Sequence, residues 1–98
     1  MSTLVDEVRA HELTVNEETL VVELADGRSI AVPIHWYPRL VHATAQERNN
    51  WRWLGDKEAI HWPDLDEDIS IENLVFGKPS GESQESFKHW LEERKLNG

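Results

Sequence analysis

Leu13 and Val15, then Leu20, Val22 and Leu24, set apolar side chains at alternate positions on either side of a polar break at Asn16-Glu17-Glu18. A period of two places such residues on one face of an extended chain, so Val8 to Val15 and the stretch around Leu20 to Leu24 read as two strands. Asp26-Gly27 follows, and the glycine accepts the positive φ that a tight hairpin turn demands. A third strand runs from Ser29 to Ile34, with Ile30, Val32 and Ile34 on one face. Pro33 has no N–H to give to a ladder, which puts this strand at an edge or at its own end.

The period then changes. Leu40, Thr44, Glu47 and Trp51, with Val41 and Ala45 beside them, follow helical spacing from Pro38 to about Asn50, and Pro38 suits a first helical turn. The apolar stripe is thin, so tertiary packing must hold this helix. Gly55 ends that region. Ala59 to Trp62 reads as a short fourth strand stopped by Pro63. Ile69 to Phe76 is compatible with strand or helix; Leu74 and Val75 stand three and four residues after Ile71, which favours a helical turn. Gly77, Pro79 and Gly81 make a connector. A final helix is predicted from about Glu82 to Leu96, with Ser80 as its N-cap, Glu82 and Glu85 early, and Arg94 and Lys95 late, as the helix dipole prefers. Phe87, Trp90 and Leu91 form its apolar stripe. The order β-β-β-α-β followed by one or two helices predicts a single α+β domain over residues 1–98 on a mostly antiparallel sheet, with 79–98 as a C-terminal connector and helix.

Composition narrows the chemistry. Ninety-eight residues suffice for one domain; area scaling buries roughly 65% of the unfolded surface in a chain of this mass. There is no cysteine, which excludes disulfides, thiolate metal sites and cysteine nucleophiles. Ten basic residues against nineteen acidic leave a net charge of −9, which argues against nucleic-acid binding by the isolated chain. No apolar run is long enough for a membrane. Asp6, Glu7 and Arg9 interrupt the place of a signal peptide, so the expected location is cytoplasmic.

Three stretches carry a family resemblance: Tyr37-Pro-Arg-Leu-Val-His-Ala-Thr-Ala-Gln-Glu-Arg48, Ile60-His-Trp-Pro-Asp-Leu-Asp-Glu-Asp-Ile-Ser-Ile71 and Ser80-Gly-Glu-Ser-Gln-Glu-Ser-Phe-Lys-His-Trp-Leu91. Together they resemble the small bacterial family named domain of unknown function 2442, over about Asp26 to Arg94. The His-Trp-Pro-Asp-Leu-Asp-Glu-Asp run is the most specific part. The resemblance implies a three-strand, helix, strand, helix unit. It also implies two functional settings, the antitoxin half of a toxin–antitoxin pair and, for members with an added helix-turn-helix, a regulator. Only one helix follows the core here, which departs from the second type.

The specific run is also the most acidic. Asp64, Asp66, Glu67, Asp68 and Glu72 place five carboxylates in nine residues. Asp64-x-Asp66-x-Asp68 opens like a calcium loop, but Ile69 stands where that loop needs glycine and Val75 where it needs glutamate. Two other readings carry equal weight: Asp66 or Asp68 capping the next helix, and a docking patch for a cationic partner. His11, His35, His42, His61 and His89 match no close metal spacing. His61, held by Asp64 or Asp66, would be the acid–base centre of an enzyme, yet nucleophile, oxyanion motif and phosphate loop are all missing. No catalytic residue, metal or cofactor is therefore assigned. Arg39, Arg48, Arg52 and Lys57 lie among Trp36, Tyr37, Trp51 and Trp53, the composition of a binding surface or a single-stranded nucleic-acid platform. Five tryptophans exceed what so small a core encloses, so Trp53 or Trp90 is expected to be partly exposed.

The leading expectation is a protein-binding module that masks another small, basic protein, using Asp64, Asp66, Glu67, Asp68, Trp53, Phe87, Trp90 and Leu91. The alternative is a nucleic-acid-binding regulator using Arg39, Arg48 and Arg52. Edge strands and surplus tryptophans also leave room for a homodimer.

Overall fold

The computed structural model describes residues 9–97. Val8, the expected first residue of the first strand, lies outside them. Three strands, β1 (Ala10–Val15), β2 (Thr19–Leu24) and β3 (Ser29–Pro33), form an antiparallel sheet in that order. Asn16 closes the first turn, its side chain accepting from the Glu18 and Thr19 N–H groups at 2.8 and 2.7 Å. Gly27 takes φ +98° in the second, the conformation for which the dipeptide was read. Pro33 ends the edge strand β3, and a 3-10 turn (Ile34–Trp36) follows.

Leu13 opposite Val22, Val15 opposite Leu20, Leu20 opposite Val32 and Val22 opposite Ile30 line the inner face of this sheet. Its outer face carries Glu12 opposite Glu23 and exposed Ser29. One apolar face cannot be left to water, so the sheet needs a cover.

The cover is a second sheet. Strands β4 (Arg52–Leu54), β5 (Ala59–Trp62) and β6 (Glu67–Ser70) make another antiparallel meander. The α+β class is as expected, but the strands divide into two three-stranded sheets, and β4 was not foreseen. Trp53-Ile60-Ile69 forms one inner row, and Trp62 faces Glu67 in the next. Ile60, Trp62 and Ile69 join Leu20, Val22 and Val32 in one shared core, closed by Leu40, Leu65, Ile71 and Leu74. The two sheets are also joined through backbone, Ala10 N–H to the Lys57 carbonyl at 3.0 Å.

The helix expected from Pro38 to Asn50 is instead two single turns, α1 (Pro38–Val41) and α2 (Ala45–Arg48). Thr44 breaks it. Its hydroxyl accepts from the Glu47 N–H at 3.1 Å, and the Glu47 carboxylate accepts from the Thr44 N–H at 2.9 Å, a reciprocal capping box. Arg48, buried, donates from Nη1 to the carbonyls of Ala43 and Leu40 at 2.7 and 3.3 Å and so ties the two turns together. Trp62 Nε1 donates to the Arg48 carbonyl at 3.0 Å, which fastens this region to β5.

The stretch Ile69 to Phe76 splits between readings. Ile69 belongs to β6, and the helical turn α3 (Ile71–Val75) begins two residues later, capped by Ser70 rather than by Asp66 or Asp68. The last helix, α4, covers Gln84–Asn97. Ser83 caps it, accepting from the Ser86 N–H at 3.1 Å, whereas Ser80 stays in the connector. No helix among the described residues is long and apolar enough to cross a membrane.

Replacing Thr44 by alanine removes one half of the capping box. The expected loss is about 1 kcal/mol of stability, measured as a shift in denaturant midpoint. An unchanged midpoint would mean that Arg48 alone fixes the break between α1 and α2.

Candidate functional site

The Trp62–Glu67 connection turns the chain through Pro63-Asp64-Leu65-Asp66. Leu65 is fully buried there, and Asp66 adopts φ +52°, a left-handed conformation that aspartate tolerates better than most side chains. The turn sends the neighbouring carboxylates in different directions. Asp64 accepts from the Asn50 side-chain amide at 2.9 Å. Asp68 and Glu67 alternate along β6, so they point to opposite faces.

Asp68 points outward. On the outer face of the second sheet it stands opposite His61, which in turn stands opposite Arg52. His61 Nδ1 lies 2.5 Å from Asp68 Oδ1. The imidazole is thus oriented by a carboxylate, as expected, but by Asp68 and not by Asp64 or Asp66.

Glu67 points inward, on the same face as Ile69 and opposite buried Trp62. Its side chain is 13% exposed. Burial opposes its ionisation more than Arg39, 4.0 Å away, favours it, and Glu82, Asp68 and Asp66 oppose it further. The Glu67 carboxyl is consequently pushed up to about 7. Beside it, burial and the Glu67 charge push the Tyr37 phenol up to about 12, and its hydroxyl donates to the Lys78 carbonyl at 3.3 Å.

Arg39 stands at the centre. Nη1 donates to the carbonyls of Leu65 and Asp66 at 2.8 and 3.1 Å, while Nε and Nη2 fork onto Glu82, with Nη2–Oε2 at 2.5 Å. This pairing holds Glu82 below the usual carboxylate range. The same guanidinium lies 5.1 Å from the ring centre of Trp90, and Arg94 lies 4.7 Å from that ring. Arg94 forks onto Glu47 at 2.9 and 3.2 Å and keeps it ionised to lower pH. Of the two tryptophans named for partial exposure, Trp90 is the buried one. Phe87 stacks on it at 5.8 Å, and Phe87 and Leu91 pack against the core as partly buried side chains. Trp53 is partly exposed, as expected, set edge-on to Trp51 with Lys57 over its ring.

A shallow cleft of about 350 Å³ opens where the hairpin meets the connector, lined by Arg39, Asp66, Glu67, Asp68, Ser80, Gly81, Glu82 and Ser86. The structure therefore joins two sets of residues that the sequence kept apart, the acidic run and Arg39. It separates Arg39 and Arg48 from Arg52: Arg39 is spent on Glu82, Arg48 is inside, and only Arg52 reaches the surface. Glu82 and Glu47 were not among the anticipated site residues. Among the described residues no group of three or more metal-ligating side chains converges.

The architecture defines a small antiparallel α+β unit with an acidic hairpin and an appended helix. The chain belongs to the family described as protein of unknown function (DUF2442), whose model matches residues 10–80. That match begins earlier than the resemblance did, at β1, and stops before α4. A crystal structure of a protein of unknown function from Rhodospirillum rubrum ATCC 11170 is similar, with a TM-score of 0.68 and 25% identity over 80% of this chain and 96% of that one. No curated protein matches the chain.

Glu67 makes stability pH-dependent in a defined direction. Its pKa is higher folded than unfolded, so the folded state holds a proton that the unfolded state has already released between about 4.5 and about 7. Stability falls as pH rises through that window, by at most about 3 kcal/mol from this group. Urea unfolding of Glu67→Gln across the same range is expected to be flatter and to exceed the parent at pH 8. An identical pH slope in the variant would place the dependence elsewhere.

Proposed function

We propose that this chain is a non-catalytic, cytoplasmic protein-binding module, the antitoxin-like member of a pair, which masks a small basic protein with the outer acids of its second hairpin. The observation that carries this reading is the unequal fate of its charges. Asp64, Asp66, Asp68 and Glu72 are exposed, while Arg39, Arg48 and Arg94 are turned inward onto carboxylates or carbonyls. The inward arginines are matched by the inward carboxylates Glu47, Glu67 and Glu82, so the surface keeps the acid excess that the net charge of −9 implies, and the hairpin concentrates it. A dense anionic patch speeds encounter with a cationic partner and disfavours nucleic acid.

Trp53, partly exposed beside the Trp51 ring on edge strand β4, supplies apolar area at the rim of the same sheet, on the face opposite Asp68. Glu67 supports the patch from within rather than contacting a partner, since it is largely covered. The regulator alternative needs a phosphate-binding face from Arg39, Arg48 and Arg52, and two of those three have internal partners.

Asp66→Asn, Asp68→Asn and Glu72→Gln together remove three outer charges and leave Glu67 in place. Asparagine also accepts the positive φ at residue 66. Affinity capture from source cells with the parent chain is expected to retain one small basic protein in near-stoichiometric amount. The triple variant, with an unchanged melting temperature, is expected to bind it about tenfold more weakly or worse. Equal retention by both chains, or nothing retained by the parent, would overturn the reading.

A further inference from the structure

Helix α4 is attached to the rest of the structure through its side chains. Among the described residues it has no backbone hydrogen bond to another element; the last such bond before it runs from the Ser80 N–H to the Trp36 carbonyl at 3.1 Å. What fastens it is a set of side-chain clamps. At the N-terminal end, Glu82 grips Arg39; at the C-terminal end, Arg94 grips Glu47 and donates to the His42 carbonyl at 3.4 Å. Between them Trp90 sits against both guanidinium groups. Gly77, at φ +70°, and the Pro79-Ser80-Gly81 stretch form the connector. The family match also ends at residue 80, so the shared unit stops where this attachment begins.

The N-terminal clamp has a competitor built into it. Arg39 belongs to α1 and is held to the body by the Leu65 and Asp66 carbonyls. Glu82 belongs to the α4 side. Glu67 belongs to the body, on β6, and lies 4.0 Å from the same guanidinium. When Glu67 is neutral, Arg39 presents its charge undivided to Glu82. When Glu67 is ionised, it neutralises Arg39 from the body side and repels Glu82. We propose that α4 is a releasable strap whose N-terminal clamp is set by the protonation of Glu67, two carboxylates competing for one guanidinium.

The groups facing Glu67 are all accounted for. Arg39 comes from α1, Tyr37 from the residue before it, Glu82 from the connector, and Asp66 and Asp68 from its own hairpin, with His61 of β5 committed to Asp68. Protonation of Glu67 acts on the clamp from inside the body. The direction is fixed by linkage. Docking of α4 brings Glu82 towards Glu67, and the Glu82 charge raises the proton affinity of Glu67, so a proton on Glu67 favours docking. The strap is tightest between the carboxylate range, where Glu82 and Glu47 still carry charge, and about pH 7. It loosens above that. Lifting it uncovers Phe87, Trp90 and Leu91, the apolar stripe that the docked state covers against the core. This inference is independent of what the hairpin binds.

The test is amide hydrogen exchange on the full chain, expressed as protection factors so that the intrinsic pH dependence cancels. Between about pH 6 and about pH 8.5, protection across α4 is expected to fall about threefold or more and to stay below that of β2 at both values, so that α4 opens without global unfolding. In Glu67→Gln the fall is expected to vanish. In Glu82→Gln, where the gripping carboxylate is gone and Glu67 remains to face Arg39, α4 protection is expected to be low at both values. Constant α4 protection in the parent, or the same fall in Glu67→Gln, would overturn the proposal, and so would full α4 protection in Glu82→Gln.

Discussion

A guanidinium taken out of water must be met by carboxylates or carbonyls, and the arrangement of this small domain follows from how it meets that requirement three times. Arg48 is satisfied by the carbonyls at the end of α1 and so defines where one helical turn stops. Arg94 is satisfied by Glu47, which also closes the capping box of α2. Arg39 has the most claims on it: two carbonyls of the acidic turn, the Glu82 carboxylate, the nearby Glu67 and the Trp90 ring. Through it the hairpin, the irregular middle of the chain and the last helix become one structure. Removing a single partner would leave a covered charge uncompensated, which costs far more than an exposed pair contributes.

The two sheets depend on each other for a simpler reason. Each is a three-stranded meander with one apolar face, and neither face has enough helix over it to be buried alone. Leu20 and Val22 from one and Ile60 and Trp62 from the other therefore share a core. Trp62 has a particular place in it. Its indole N–H would be a stranded donor in that interior, and the Arg48 carbonyl receives it, so the irregular α1–α2 segment is located by the demand of a buried polar atom. Glu67 is the cost of the same geometry: its position opposite Trp62 carries a carboxyl into cover, and its raised proton affinity follows.

Much of this was legible in the residues. Alternation at Leu20-Val22-Leu24, the Asp26-Gly27 turn and the edge character of Pro33 are local signals, decided by the geometry of a few adjacent peptides. The family could be read from three short stretches for the same reason. The fault at Thr44 was also written locally, as Thr44-Ala-Gln-Glu47, but helical spacing on either side of it masked the cap. Strand β4 was not legible: Arg52-Trp53-Leu54 is too short to show a period, and its partners decide it. The candidate site was legible only in part. The density of carboxylates from Asp64 to Glu72 is plain, and the shared parity of Glu67 with Ile69 hints that one of them turns inward. Which arginine receives it, and that Glu82 takes part from a distant point in the chain, is not.

The chain by itself determined the class of fold, the strand order of the first sheet and the acidic character of the hairpin, because these depend on side-chain type and on neighbours within a few residues. Tertiary structure alone decided which charges face water. Arg39 and Glu82 stand far apart in sequence and meet where the connector, bonded from the Ser80 N–H to the Trp36 carbonyl, passes beside α1. Trp90 is covered because the core, the Phe87 ring and two guanidinium groups are brought to it. Burial, ionisation and pairing are properties of where a side chain ends up, and a linear order of residues does not contain that distance.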